Sequence, residues 1–432
     1  MVQRAAHALR RLRLPPEGPP GPSRAAFWRS PLRGPWLTTT LGLLLLPLVI
    51  VVAVTGFVSH AAYQPDLGAN AIVDRAHDLQ LLIFGWPSRP TWLYAANQGV
   101  HVTVGFVAIP LLLAKLWSVI PRLFAWPPLR SPAQALERLS LLGLVGGAAF
   151  QFATGVVNAQ LYYPFHFNFV VAHYYGAWVF LAALAVHLVV KLPVMRRAYR
   201  EHGAWRPLRD DLARTRAEAY EPGGLASPRP AAPTMSRRGL LAMVGGAAGA
   251  LAVVTAGQSI GGPLRRLAVL APRGGALGPG PNDFPINKTA AAARVTPALV
   301  DASWRLQVQG ARTLALSRAD LLALRQTSAE LPIACVEGWS TTQRWSGVRL
   351  ADLAALAGVP AARMLHVASV QPRGVLRRAT LGHAQIHDDE ALLALRVNGA
   401  DLSLDHGYPA RIIVPALPGV HCTKWVGTLE FL

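Results

Sequence analysis

The chain has 432 residues, 52% of them hydrophobic and 15% charged, with a mean hydropathy of +0.31 and a formal net charge of +20. Soluble domains carry about 25% charged residues, so a plain cytosolic enzyme and a disordered chain are both excluded. The 42 Lys and Arg do not form one face: seven lie within residues 1–36, two in 59–92, four in 115–138, eleven in 191–238 and eighteen after 258. In the first half they fill alternate gaps between apolar runs, the pattern of a membrane protein orienting itself and not of a nucleic-acid binder.

Five segments are long enough, or nearly so, to cross about 30 Å of hydrocarbon: residues 37–58, 93–114, 139–161, 169–190 and 239–257. The first is uncharged and contains Pro47, the third is rich in Gly and Ala, and the fifth is built mostly of small residues. Loop charges predict an orientation. The basic N-terminus (1–36), the 115–138 loop and the 191–238 stretch belong inside; the sparsely basic 59–92 loop and the 162–168 loop belong outside. Four crossings (37–195) return the chain to the cytoplasm, and the fifth sends the remainder out. Trp36, Trp86, Trp92, Trp117 and Trp126 fall at or near the expected ends, as interface anchors would, and simple packing accounts for them equally well.

A basic, Pro-rich linker (196–235) precedes Ser236-Arg237-Arg238-Gly239-Leu240-Leu241. That string resembles a twin-arginine export signal, with the fifth segment (236–258 in all) as its mild hydrophobic region. Ordinary positive-inside flanking would also place two arginines here. A Gly/Pro-rich stretch, 259–283, then reads as a tether, and no internal repeat is evident.

Histidine in a membrane segment usually faces the bundle interior. His173 and His187 are fourteen residues apart, about 40° short of four full turns, so both lie on one helix face roughly 21 Å apart. That is the spacing of two stacked haems, each taking one imidazole from this helix. His101, in the outer half of the second segment, matches His173 in depth and pairs with it at an outer haem b. An inner haem at His187 needs a partner from the first or third segment, and neither contains one there. The topology and the His placement resemble the cytochrome b membrane subunits of respiratory hydrogenases and formate dehydrogenases. In that family an Arg-x-x-His-Trp string enters helix one; here it reads Arg33-Gly34-Pro35-Trp36, with Pro35 in the His place. One haem is therefore expected. His187 is left as the ligand of a second haem or as a quinone-site residue, and His60 as an alternative ligand at the outer mouth.

Residues 284–432 suffice for one well-buried core. Strands are predicted at 303–309, 331–336 and 410–414 and helices at 317–325 and 350–357, an α+β pattern. Cys335 ends an apolar strand before an acidic, Gly- and Trp-containing loop, where a thiol is either a small core residue or a soft metal ligand. The string Cys335-Val336-Glu337-Gly338-Trp339-Ser340, with Trp345-x-Gly347-Val348, Leu350-x-Asp352-Leu353, His406-Gly407-Tyr408-Pro409-Ala410-Arg411 and Lys424-Trp425, resembles the sulfite oxidase family of molybdenum enzymes. The resemblance implies that Cys335 coordinates molybdenum beside one molybdopterin, that Trp339, Arg344 and His406 contact the cofactor, and that Arg411 and Lys424 meet its phosphate. Where the family has an aromatic-containing stretch, this chain reads QPRGVLRRATL; its Arg373 and Arg377 are candidates for attracting an oxyanion substrate, and a solvated charge run explains them as well. Cys422 is expected to be structural, since two cysteines cannot form a disulfide framework or a Cys-rich metal site and a Cys335–Cys422 disulfide would compete with the metal.

The resulting expectation is a membrane all-α part, a four-helix haem bundle plus a fifth transmembrane helix, followed by an α+β sulfite oxidase-like molybdopterin domain on the extracytoplasmic side of the cytoplasmic membrane. Such a chain would transfer oxygen atoms at molybdenum and exchange electrons with the quinone or quinol pool through haem b. Either direction suits the residues: oxidation of sulfite or a related oxyanion, or reduction of a sulfoxide or N-oxide. The expected partners are that substrate, the quinone pool and membrane lipid, with room for a further electron-transfer subunit and no nucleic acid. The alternative is a cofactor-free, membrane-anchored binding or assembly module that retains the fold, against which Cys335 in its string argues. A transporter with an accessory domain is disfavoured by too few intramembrane charges and no paired repeat.

Overall fold

The computed structural model describes residues 18–63, 82–126, 132–273 and 278–432. The expectations for residues 1–17 and for most of the outer loop, 64–81, lie outside the described residues.

Among the described residues, five helices are long and apolar enough to cross a membrane: α1 (Pro35–Ala62), α2 (Leu93–Leu123), α3 (Pro132–Ala159), α4 (Phe169–His202) and α5 (Arg237–Ile260). Each outruns the apolar stretch that predicts it. In α4 the extension, Lys191–His202, is rich in basic residues, and it continues through Pro193 as far as Gly203, whose φ is +72°. Pro47, Pro110, Pro121 and Pro193 all sit inside helices.

The chain divides into two compact units. The first takes residues up to Ile50, Gly105–Thr154 and Tyr175–Leu251. Trp36, Leu37, Leu41, Leu111, Leu240 and Val244 form one of its cores. Trp36 is fully buried with its indole N–H on Gly203 O (2.9 Å), so packing and not a lipid interface explains it. Arg33 lies over the Trp117 ring at 4.3 Å. The 196–235 linker is anchored here: Glu218 accepts from Trp36 N (3.3 Å) and pairs with Arg237 at 3.8 Å, both side chains only 5% exposed. Gly34 lies close against it: a Cβ there would meet the Glu218 carboxylate at 2.3 Å, so that side chain would have to shift. The first arginine of the export-like string is thus buried, and Arg238 beside it is exposed.

The second unit takes Val51–Val104, Gly155–Tyr174 and Ala252–Leu432. Its α+β part contains two five-stranded sheets. One has the order β2-β1-β10-β5-β6, formed by β1 (Leu306–Gln309), β2 (Leu314–Leu316), β5 (Met364–Ser369), β6 (Arg378–Gly382) and β10 (Val426–Phe431); β1 and β10 run parallel. The other has the order β3-β4-β7-β8, formed by β3 (Thr327–Ala334), β4 (Ser340–Arg349), β7 (Leu392–Val397) and β8 (Ala400–Asp401), with β9 (Arg411–Ile413) also on β7. β1 alternates buried and half-buried residues, as a one-sided strand should. β7 is buried at five of its six positions, which is why its sequence is a nearly continuous apolar run.

Four short helices complete this part: α6 (Ala290–Ala293), α7 (Arg318–Ala323), α8 (Leu350–Leu356) and α9 (His383–Ile386). The expected strands and helices are all present; four are shorter than expected, and the strand expected at 331–336 is Thr327–Ala334, which starts four residues earlier. At α7 a capping box explains the start: Ser317 Oγ accepts from Asp320 N and Asp320 accepts from Ser317 N. The C-terminal end of α1 and the N-terminal end of α2, with the segment before it, enter the hydrophobic core of this part, through Ala61, Ala62, Tyr63, Trp86 and Tyr94. Trp86 is 3% exposed and donates to Ala416 O (2.7 Å), whereas Trp92 is 59% exposed.

Candidate active site

Strand β3 stops at Ala334, and Cys335 begins a tight turn closed by Gly338 N on Cys335 O (3.0 Å) and Cys335 N on Trp339 O (2.9 Å). Gly338 has φ of +94°, and a Cβ there would meet Val102 at 2.8 Å, so backbone conformation and close approach both demand glycine. Glu337 accepts from Trp339 Nε1 (2.8 Å) and Arg273 Nε (2.9 Å), which fixes the turn from both sides.

The turn borders a small pocket lined by Cys335, Trp339, His406, Arg411, Lys424 and the 284–287 segment. Phe284 stacks on His406 with ring centres 3.7 Å apart. The other chemistry is cationic. Arg411 is buried, donates to His406 O (3.0 Å) and Cys422 O (3.2 Å), and has no acceptor for its Nε. Lys424 Nζ donates to Asp405 O (2.9 Å) and to Lys288 O. Burial, reinforced by Arg411, lowers Lys424 to about 7 and His406 to about 4; burial alone brings Arg411 to about 10. Burial and the Glu337 charge push the Cys335 thiol up to about 12. A pocket that holds uncompensated buried cations and an orphaned guanidinium N–H is built for a polyanion, and the phosphate and pterin of molybdopterin fit that donor set. A thiol so disfavoured as a free thiolate fits a site where a metal supplies the opposing charge.

Of the other residues singled out from the sequence, Arg344 is exposed on β4 and engages Asn398 through its backbone. Arg373 is exposed, and Arg377 donates to Pro372 O (3.2 Å). None of the three lines the pocket. Cys422 is buried. The stretch read as a tether is pinned: Arg265 reaches Ser340 O (3.3 Å), and Arg273 holds Asn287 O (2.9 Å) as well as Glu337. Those two arginines, Glu337 and Lys288 were not predicted, because their partners are distant in sequence.

The same unit contains His101 of α2 and His173 of α4, with ring centres 6.2 Å apart and planes at 82°. His101 Nδ1 lies 3.0 Å from Val52 O and 3.1 Å from Thr55 Oγ1. A carbonyl only accepts, so Nδ1 carries the proton and Nε2 keeps its lone pair. Metal–nitrogen bonds of about 2 Å on either side of an ion put two imidazole centres roughly 6 Å apart. Glycines flank both rings: a Cβ at Gly56 would meet His101 at 3.0 Å, and one at Gly155 would meet His173 at 3.5 Å. The distance suits two imidazoles that would share one metal ion. His60 stacks on Tyr174 at 3.8 Å. His187 belongs to the first unit.

Comparison with known proteins resolves the pocket's family. Residues 293–432 match the model of the oxidoreductase molybdopterin binding domain. Human mitochondrial sulfite oxidase is 33% identical over 163 residues, covering 31% of this chain and 30% of that enzyme. The Bacillus subtilis uncharacterized oxidoreductase YuiH is 30% identical over 146 residues, covering 30% of this chain and 65% of that protein. The C-terminal domain is a molybdopterin-binding oxidoreductase domain of the sulfite oxidase family. The chain spans less than two thirds of either relative, and the family model matches its last third. Cys335, Trp339, His406, Arg411 and Lys424 all fall inside this molybdopterin-binding oxidoreductase domain.

Proposed function

We propose that the chain is a membrane-bound, molybdopterin-dependent oxidoreductase that transfers oxygen atoms at its C-terminal domain and exchanges electrons with the quinone pool through haem b. The observation that carries the reading is the presence in one compact unit of the Cys335 pocket and the His101–His173 pair. In this reading Cys335 is the thiolate ligand of molybdenum, Arg411 and Lys424 neutralise the phosphate of the pterin, and Phe284 and His406 wall the pocket. His101 and His173 hold the haem iron, with the His101 tautomer set by Val52 O. Molybdenum supplies two-electron oxygen-atom chemistry and the haem one-electron transfer. Positive-inside orientation and the export-like string support a C-terminal domain outside the cytoplasm. Sulfite or a related oxyanion, or a sulfoxide or N-oxide in the opposite direction, is the substrate class.

The test is metal analysis of the detergent-purified, full-length protein. About one molybdenum and one haem iron per chain are expected. Absence of molybdenum, in a host that makes the cofactor, overturns the enzyme reading; two irons overturn the single haem and bring His187 back as a ligand.

A further inference from the structure

In α2, Tyr94, Gln98 and His101 are spaced four and three residues apart and so share one helix face. Gln98 is 3% exposed. A buried amide is costly unless both its ends are satisfied, and here both are. Ser59 Oγ of α1 donates to Gln98 Oε1 (2.8 Å), and Gln98 Nε2 donates to Val336 O (2.7 Å). Val336 directly follows Cys335, and His101 is one helical turn beyond Gln98. The same turn is seated by Val102, which packs on Gly338, and by Ser259 Oγ, which donates to Gly338 O. A Leu would fill the space of Gln98, but only a side chain with an oriented donor can hold the Val336 carbonyl.

We infer that Gln98, oriented by Ser59, is a positioning residue that holds the Cys335 turn over the His101 turn of α2 and thereby couples the pocket electronically to the histidine pair. The inference rests on the functional reading above. The step it serves moves one electron between the molybdenum centre and the haem iron: one is oxidised by a single unit as the other is reduced, and no bond or proton changes place. Gln98 itself stays redox-inert. It shortens the route to one backbone carbonyl, one hydrogen bond and one turn of helix.

The experiment uses the full-length, metal-loaded protein, with Gln98→Met as a near-isostere lacking both polar ends and Ser59→Ala as a milder variant. Hydrogen exchange of the 335–339 segment is read by mass spectrometry. The re-equilibration of flash-photoreduced haem with molybdenum, using a deazaflavin as photoreductant and no substrate, is read at the haem Soret band. Gln98→Met should raise exchange and slow re-equilibration about tenfold, the scale of one lost hydrogen bond in holding the turn. Ser59→Ala should give about a third of that slowing on a logarithmic scale, with haem spectrum and midpoint potential unchanged in both. Wild-type exchange and rate in a loaded Gln98→Met protein overturn the inference. Should Gln98→Met lose a metal, the same wild-type values in Ser59→Ala overturn it. A wild-type protein without haem instead overturns the functional reading, and electronic coupling falls with it, while unchanged exchange in Gln98→Met separately overturns the holding of the turn.

Discussion

The Cys335 pocket and the His101–His173 pair are built on opposite principles. The pocket is assembled by strand ends and loops from across the α+β domain, and its distinguishing property is charge: Arg411 and Lys424 are buried and donate to backbone carbonyls. The histidine pair is assembled by two helices, and its distinguishing property is phase: two rings at matched depth, one of them fixed by a backbone carbonyl and both bordered by glycine. A polyanionic cofactor needs many donors at varied angles, which strand ends and loops supply. A ligand held by two axial bonds needs rigid placement, which helices supply.

If the two sites are independent in what they bind, single substitutions should separate them completely. Cys335→Ser should abolish molybdenum-dependent turnover, to background, and leave the b-type haem spectrum intact. His101→Ala should abolish that spectrum and leave molybdenum content unchanged. Metal analysis and an optical spectrum of each variant suffice. An unchanged haem spectrum in His101→Ala would mean that the pair has been misassigned, and loss of both cofactors in either variant would break the comparison.

The sequence makes these two sites legible to different degrees. Long uncharged runs mark all five helices, and position along two segments expected to run the same way pairs His101 with His173. The Cys335 string, with the His406 to Arg411 and Lys424 strings, marks the pocket by resemblance, and Cys335, Trp339, His406, Arg411 and Lys424 do line one pocket. Residues whose role is defined only by a distant partner stay hidden. Arg273 meets Glu337 64 positions away, Gln98 meets Val336 238 positions away, and Glu218 meets Trp36 182 positions away. No periodicity or motif encodes such pairings. Composition also misleads in one place: Gly and Pro at 259–283 suggest a free tether, yet Arg265 and Arg273 pin it.

Arg273 therefore offers a sharper test of how the pocket is held together. Arg273→Ala removes the ion pair to Glu337 and the bond to Asn287 O, leaving a largely buried carboxylate with Trp339 as its remaining partner. A loss of about 1–3 kcal/mol follows from stranding such a group. The thermal midpoint of the C-terminal domain should fall by a few degrees, with the haem spectrum unaffected. A midpoint equal to wild type would show that the 261–273 stretch does not stabilise the turn after Cys335.

The smallest effect is a proton count. In the cofactor-free protein Lys424 releases its proton near 7, whereas an unfolded lysine keeps it to about 10.4. Between those values the unfolded chain binds more protons than the folded one, so the stability of the cofactor-free domain should rise with pH through that window. An anion bound at Lys424 restores the charged form and takes up a proton. Binding of inorganic pyrophosphate, a probe of the phosphate subsite, should therefore weaken as pH rises from 7 to 9, by at most about tenfold per unit for one linked proton. Titration calorimetry in buffers of different ionisation enthalpy counts that proton directly. Lys424→Met should abolish the uptake while Arg411 still binds the anion weakly, and uptake that persists in Lys424→Met would place the titrating group elsewhere in the pocket. The histidine pair has no such linkage to anions. A haem spectrum that is flat over the same pH range, beside a pocket that titrates, is the expected signature of one site defined by charge and another by geometry.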